Sequence, residues 1–166
     1  MDLANGIRLH RSIDGFADAY ARAHECIRLF PPEFRRFGAI VLDVAFDHIL
    51  ARSWDEFSTL DLNAFVLGAY EDIQATSPLA PAPAQEMIKH MVSHDWLKSY
   101  RDPMSVSRML DSISRRLKRD NPLAEANWLV GKFDREIEQT FRVLRPELIA
   151  FARSKASDAV PYARVD

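Results

Sequence analysis

The sequence predicts an all-α fold, a single compact domain over residues 1–156. Three observations carry this. Apolar residues recur at helical spacing, as in Trp128, Phe133, Ile137, Phe141 and Leu144, which gives a helix one buried face. Only five glycines occur in 166 residues. No Asn-Gly or Asp-Gly pair sits between alternating apolar runs, as a hairpin needs; Asn5-Gly6 and Asp14-Gly15 have helix-like flanks.

The elements follow from their stop and start signals. A first helix is expected from about Leu3 to Ile13, with Gly15 marking a break or a close approach. A second runs from about Asp18 to Phe30, where Pro31-Pro32 stops it. Pro32-Glu33 suits the first turn of a third helix reaching about Trp54. Asp61 reads as the N-cap of a helix to about Thr76. A proline-rich loop, Ser77 to Pro83, separates it from helical patterning at Ala84–Val92 and Trp96–Tyr100. Asp102-Pro103 or Ser105 starts a helix to about Leu117. Asn121-Pro122 signals a turn before one long helix from Leu123 to Leu144, and Pro146 opens a last short helix. The tail after Lys155 is expected to fray, with 157–166 disordered.

Bulk properties bound the function. A net charge of −2 argues against a general nucleic-acid binder. The single Cys26 excludes an intramolecular disulfide and a cysteine-based metal cluster, favouring a reducing cytoplasm. No apolar stretch approaches the roughly 20 residues of a membrane helix, and the N-terminus lacks a signal-peptide pattern.

The most informative feature is a carboxylate pair, Asp43 and Asp47, in the most apolar helix. Four residues apart, they lie on one helical face. Unpaired carboxylates there cost several kcal/mol or change protonation state, and two of them repel. Either a metal or an arginine (Arg11, Arg36 or Arg52) would compensate them. His10 and Asp14 form a second i,i+4 unit, and Asp18 is four further on. His10–Asp14 reads either as two metal ligands or as an exposed intrahelical pair. His48 follows Asp47 and reads as a ligand, an orienting group or a satisfied core histidine. Together His10, Asp14, Asp43, Asp47 and His48 are oxygen and imidazole donors without a thiolate. They suit Mn²⁺, Mg²⁺ or Fe²⁺ better than structural zinc. Such a metal suits phosphoester hydrolysis, with Arg11 placed to neutralise a phosphate oxygen.

A basic stretch forms the other signal. From Lys98 to Arg119 seven basic residues stand against two acidic ones, a local net charge of +5. Arg101, Arg108, Arg115, Arg116 and Arg119 are its arginines. They read as an ordinary solvated face or as a docking surface for an acidic partner.

Several stretches resemble signatures of the acyl carrier protein phosphodiesterases. They are Gly6 to Asp14 with Asp18, Leu42 to Trp54, Trp96 to Asp102, Ser114-Arg115-Arg116 and Asn121-Pro122-Leu123. The resemblance implies a fold like the HD-domain phosphohydrolases and a metal-dependent hydrolase, usually with manganese. It implies cleavage of the phosphodiester that joins 4′-phosphopantetheine to a serine of holo acyl carrier protein. It points to His10, Asp14, Asp43, Asp47 and His48 for metal binding and water activation. Asp14, Asp43, Asp47 and Arg11 become the catalytic candidates. Acyl carrier protein, small and strongly acidic, becomes the partner of the basic stretch. Family members usually begin with a further segment carrying a histidine and an aspartate. The expectation is that those two complete the metal site, and that an uncovered groove or a homodimer results without them. The alternatives are a short form that only binds the carrier, and a phosphohydrolase acting on another phosphodiester.

Overall fold

The computed structural model describes residues 3–158, and no strand occurs among them. Eleven α-helices follow in order: α1 Leu3–Asp18, α2 Ala21–Leu29, α3 Pro32–Arg35, α4 Gly38–Arg52, α5 Trp54–Phe57, α6 Leu62–Thr76, α7 Ala82–Ser93, α8 Trp96–Ser99, α9 Met104–Arg116, α10 Asn127–Lys132 and α11 Asp134–Asp158. Short 3₁₀ turns at Ser77–Leu79 and Leu123–Glu125 complete the chain. The expected frayed tail lies, from residue 159 on, outside the described residues.

The central helix is α4, which packs against α2, α9, α10 and α11. Its Val41, Leu42, Val44, Ala45 and Ile49 join Phe30, Leu110, Leu129 and Ile137 in the main core. A smaller core of Trp54, Leu62, Val66 and Tyr70 gathers α5 and α6 against Leu97, with Leu50 of α4 reaching into it. Asp61 caps α6 as expected, its Oδ1 accepting from the N–H groups of Asn63 and Ala64 at 2.9 and 3.1 Å. Tyr70 fastens the α7–α8 turn: its hydroxyl donates to Asp95 and accepts the Leu97 N–H.

Four boundaries differ from the sequence reading. First, α1 runs unbroken through Gly15 to Asp18, and a Cβ at Gly15 would meet nothing within 4 Å. Gly15 therefore marks neither a break nor a close approach; one glycine costs about 1 kcal/mol, too little to end a helix. Second, the expected helix from Pro32 to Trp54 is three pieces. Phe34 and Phe37 are both buried, and the turn at Arg36–Phe37 lets both enter the core. Third, the expected helix over Leu123–Leu144 is a 3₁₀ turn, α10 and the start of α11, breaking at Phe133. The breaks let Leu123, Ala126 and Leu129 all reach zero exposure. Fourth, Pro146 lies inside α11 instead of opening a new helix. A proline there costs about 3 kcal/mol, and contacts on both sides of it oppose the break. Before it Phe141 packs on Phe46 of α4 at 5.4 Å and Arg145 donates to the Phe57 carbonyl; after it Phe151 stacks on Phe16 of α1 at 4.5 Å and Tyr20 donates to Glu147.

The glycine that does matter is Gly38, the first residue of α4. A Cβ there would fall 2.6 Å from Ile27 Cγ2 and 2.8 Å from its Cγ1. Gly38→Ala is expected to destabilise the fold by about 1–3 kcal/mol in urea unfolding. In an Ile27→Ala background the same substitution should cost much less. Equal penalties in the two backgrounds would show that the α2–α4 approach is not the cause.

Candidate active site

α4 buries one side and leaves Asp43 and Asp47 along the other. Asp43 is exposed, Asp47 half-buried. Both line a groove of about 400 Å³ with Asp14 of α1, walled by Phe46, Leu50, Trp54, Phe65, Phe141 and Leu148 and with Arg145 in its lining. The sequence-predicted Asp14, Asp43 and Asp47 are thus brought to one groove. His10 sits one turn from Asp14, its Nε2 3.4 Å from Asp14 Oδ2, both side chains more than half exposed.

Arginine does not compensate the pair. Among the described residues, neither Asp43 nor Asp47 takes part in an ion pair. Arg52, a natural candidate on the same helix, is drawn to α11, where it donates to Asp134 at 2.9 Å and Glu138 at 2.8 Å. The protein packed around Asp43 pushes its carboxyl above the usual carboxylate range. Asp14 and Asp18 push it further, and His10 partly offsets them. Burial raises Asp47 to about 6, with the Asp43 charge adding to it.

Tyr100, just past α8, clamps this part of α4. Its hydroxyl faces the Asp47 carboxylate and opposes the rise at Asp47. Its own ionisation is pushed up, first by burial and then by the Asp47 charge. Its backbone carbonyl lies 2.6 Å from His48 Nδ1, which assigns the ring proton to Nδ1. His48 is only 5% exposed. It lines a different cavity, with Arg52, Asn127 and Asp134, so it does not share the groove with Asp14, Asp43 and Asp47.

Arg11 is exposed on α1 and absent from the groove lining. The arginine in that lining is Arg145, whose Nη2 donates to the Phe57 carbonyl at 2.9 Å while its guanidinium covers the Phe57 ring at 4.8 Å. Arg116 of α9 is the cation that acts on Tyr100. Tyr100 and Arg145 were not singled out from the sequence. Tyr100 lies within the motif stretch Trp96 to Asp102, whereas nothing local marks Arg145 among so many arginines.

The basic stretch is partly neutralised. Arg108 pairs with Asp102 at 2.7 Å, Arg115 with Asp111, and Arg101 with Asp55 at 3.9 Å. Arg116 and Arg119 have no carboxylate partner among the described residues; Arg116 Nε donates to the Ser112 carbonyl and Arg119 lies 5.3 Å over the Phe37 ring.

The donor set fits a divalent cation in charge: three carboxylates meet in one groove with no arginine or lysine paired to Asp43 or Asp47. It is not a closed coordination sphere, because among the described residues no three histidine, cysteine or acidic side chains converge tightly enough to hold an ion.

A family model described as acyl carrier protein phosphodiesterase matches residues 1–148. Three curated relatives bear that same name, from Salmonella dublin, Salmonella agona (strain SL483) and Salmonella paratyphi A. They are 30%, 30% and 31% identical over 156 residues, covering 93% of this chain and 81% of each relative. No solved structure matches.

The raised Asp47 sets a pH dependence of stability. Its folded value, about 6, exceeds its ordinary 3.8. The folded state holds this proton more tightly, so the contribution is full below pH 3.8 and lost as pH rises through about 6. In the absence of divalent metal, Asp47→Asn should therefore be more stable than the parent at pH 8, by on the order of 3 kcal/mol. The gain should vanish near pH 3.5. Urea unfolding at both pH values checks this, and a gain independent of pH would contradict it.

Proposed function

The chain belongs to the acyl carrier protein phosphodiesterase family, and from that premise we propose that it removes 4′-phosphopantetheine from holo acyl carrier protein. The reaction is hydrolysis of a phosphodiester: water adds to phosphorus and the serine oxygen of the carrier leaves with a proton. The observation that carries the reading is the groove itself, in which Asp14, Asp43 and Asp47 meet without an ion pair at either α4 carboxylate. In this reading the cation that compensates them is divalent, Mn²⁺ first; Asp14, Asp43 and Asp47, with His10 beside them, would supply its protein donors, short of a closed coordination sphere. Bound there, it would supply charge neutralisation at phosphorus and a more acidic water.

The chain's own residues have distinct parts. Asp47 takes the proton of the attacking water as the general base of the groove. Tyr100 holds the Asp47 carboxylate in place. Arg145 offsets charge on the phosphoryl oxygens from within the groove, a part that the sequence had pointed to Arg11 for. The apolar groove walls exclude water from the reacting centre. Arg116 and Arg119 meet the acidic carrier, because the other arginines of the stretch already have carboxylate partners.

Mass spectrometry of holo acyl carrier protein incubated with the chain and Mn²⁺ tests the activity. The expected result is loss of the phosphopantetheine mass, with Asp47→Asn slower by about 100-fold or more. An intact carrier in the presence of folded, metal-loaded protein would refute it. The docking face has its own test. Arg116→Gln should weaken carrier affinity several-fold more than Arg115→Gln, whose charge is already balanced by Asp111. The reverse order would place docking elsewhere.

A further inference from the structure

A second cavity, between α7, α8 and α9, takes no part in the proposed hydrolysis. It encloses about 330 Å³ and shares no lining residue with the carboxylate groove. Its polar lining is His90, His94, Ser99, Ser105, Arg108 and Ser112, with no carboxylate among them, and Trp96 forms part of its apolar wall. The two imidazoles stack at 3.9 Å, and the Trp96 ring meets His90 nearly edge-on at 5.5 Å. His94 Nδ1 lies 2.9 Å from the His90 carbonyl, so Nδ1 carries the proton and Nε2 is left to meet a ligand.

Three features ask for a ligand with oxygen acceptors. Ser105 is only 2% exposed and its hydroxyl has no hydrogen-bond partner, a costly state for a buried polar group. Arg108 spends one nitrogen on Asp102, and its remaining N–H groups have no acceptor among the described residues. A guanidinium presents several donors in a fixed plane, suited to a tetrahedral oxyanion. The Ser112 hydroxyl also has no partner among the described residues. Arg108, held by Asp102, brings donors and no acceptor, so it gives a metal cation no ligand, although the histidine pair alone would suit one.

We propose that this cavity binds a phosphate group, held by Arg108 with the hydroxyls of Ser105 and Ser112 and closed at its rim by His90 and His94. The ligand is inorganic phosphate or a small phosphate monoester. His94 presents Nε2 to the ligand, and Trp96 gives the organic part of a monoester a flat apolar surface.

The test is an NMR titration of the imidazole protons of His90 and His94 in the metal-free full chain. It uses inorganic phosphate in one arm and phenyl phosphate in the other, at constant pH and ionic strength, with chloride as control. A saturable shift with phosphate and none with chloride is expected, weakened at least about 10-fold in Arg108→Gln and in Ser105→Ala. Ser105→Ala removes an unpartnered hydroxyl, so the protein should remain folded and the ligand-free histidine resonances should stay in place. Tighter phenyl phosphate binding identifies a monoester as the natural class; equal or weaker binding identifies free phosphate. No saturable shift, unchanged affinity in both variants, or a response to Zn²⁺ alone would overturn the proposal. The measurement needs neither turnover nor a carrier protein, so it stands or falls apart from the hydrolytic reading.

Discussion

Everything in this protein depends on α4 having two incompatible sides. One side is buried among α2, α9, α10 and α11, with Val41, Ala45 and Ile49 at zero exposure. The other carries two carboxylates one turn apart. Burial of the first side fixes where the second must point, and the apolar packing gains stability whether or not the carboxylates are satisfied. The one cation on the helix, Arg52, is tied instead to Asp134 and Glu138 at the start of α11. That choice locks α4 to α11 and leaves Asp43 and Asp47 without an ion pair among the described residues.

The uncompensated charge has visible consequences around it. Asp43 and Asp47 both hold their protons more tightly than ordinary aspartates, and the protein packed around each, which displaces water, is the main cause. The Tyr100 hydroxyl answers part of the problem by opposing the rise at Asp47, while its carbonyl fixes His48 on the neighbouring position. One residue thus sets both the carboxylate and the imidazole, and it does so from the chain that joins α8 to α9. The smaller core holds that connection in place, through Tyr70 on Asp95 and Leu97. The two cores therefore position a single site between them.

The all-α class and the Asp43–Asp47 ladder were legible because helical periodicity is local information. The Asp61 cap and the end of α2 at Pro31-Pro32 were legible for the same reason. The misplaced boundaries share a cause: each depends on what packs against the helix. Nothing near Phe37 or Phe133 in sequence forbids a longer helix, and the breaks exist so that Phe34 with Phe37, and Leu123 with Leu129, reach one core. Pro146 misled in the opposite direction, since contacts to α4 before it and to α1 after it hold the helix together. The same limit applied to the site. Sequence spacing gave Asp14, Asp43 and Asp47, but which of many arginines reaches the groove was a tertiary matter, and it is Arg145 rather than Arg11. His48, adjacent to Asp47, turns to another cavity because neighbours on a helix point about 100° apart.

The central claim is that a divalent cation supplies the charge that arginine does not. Isothermal titration of Mn²⁺ into the metal-free chain and its Asp43→Ala and Asp47→Ala variants tests it most directly. The account predicts saturable binding to the parent and affinity lower by more than about 10-fold in each variant. Equal affinity in all three proteins, or no binding to the parent, would contradict it.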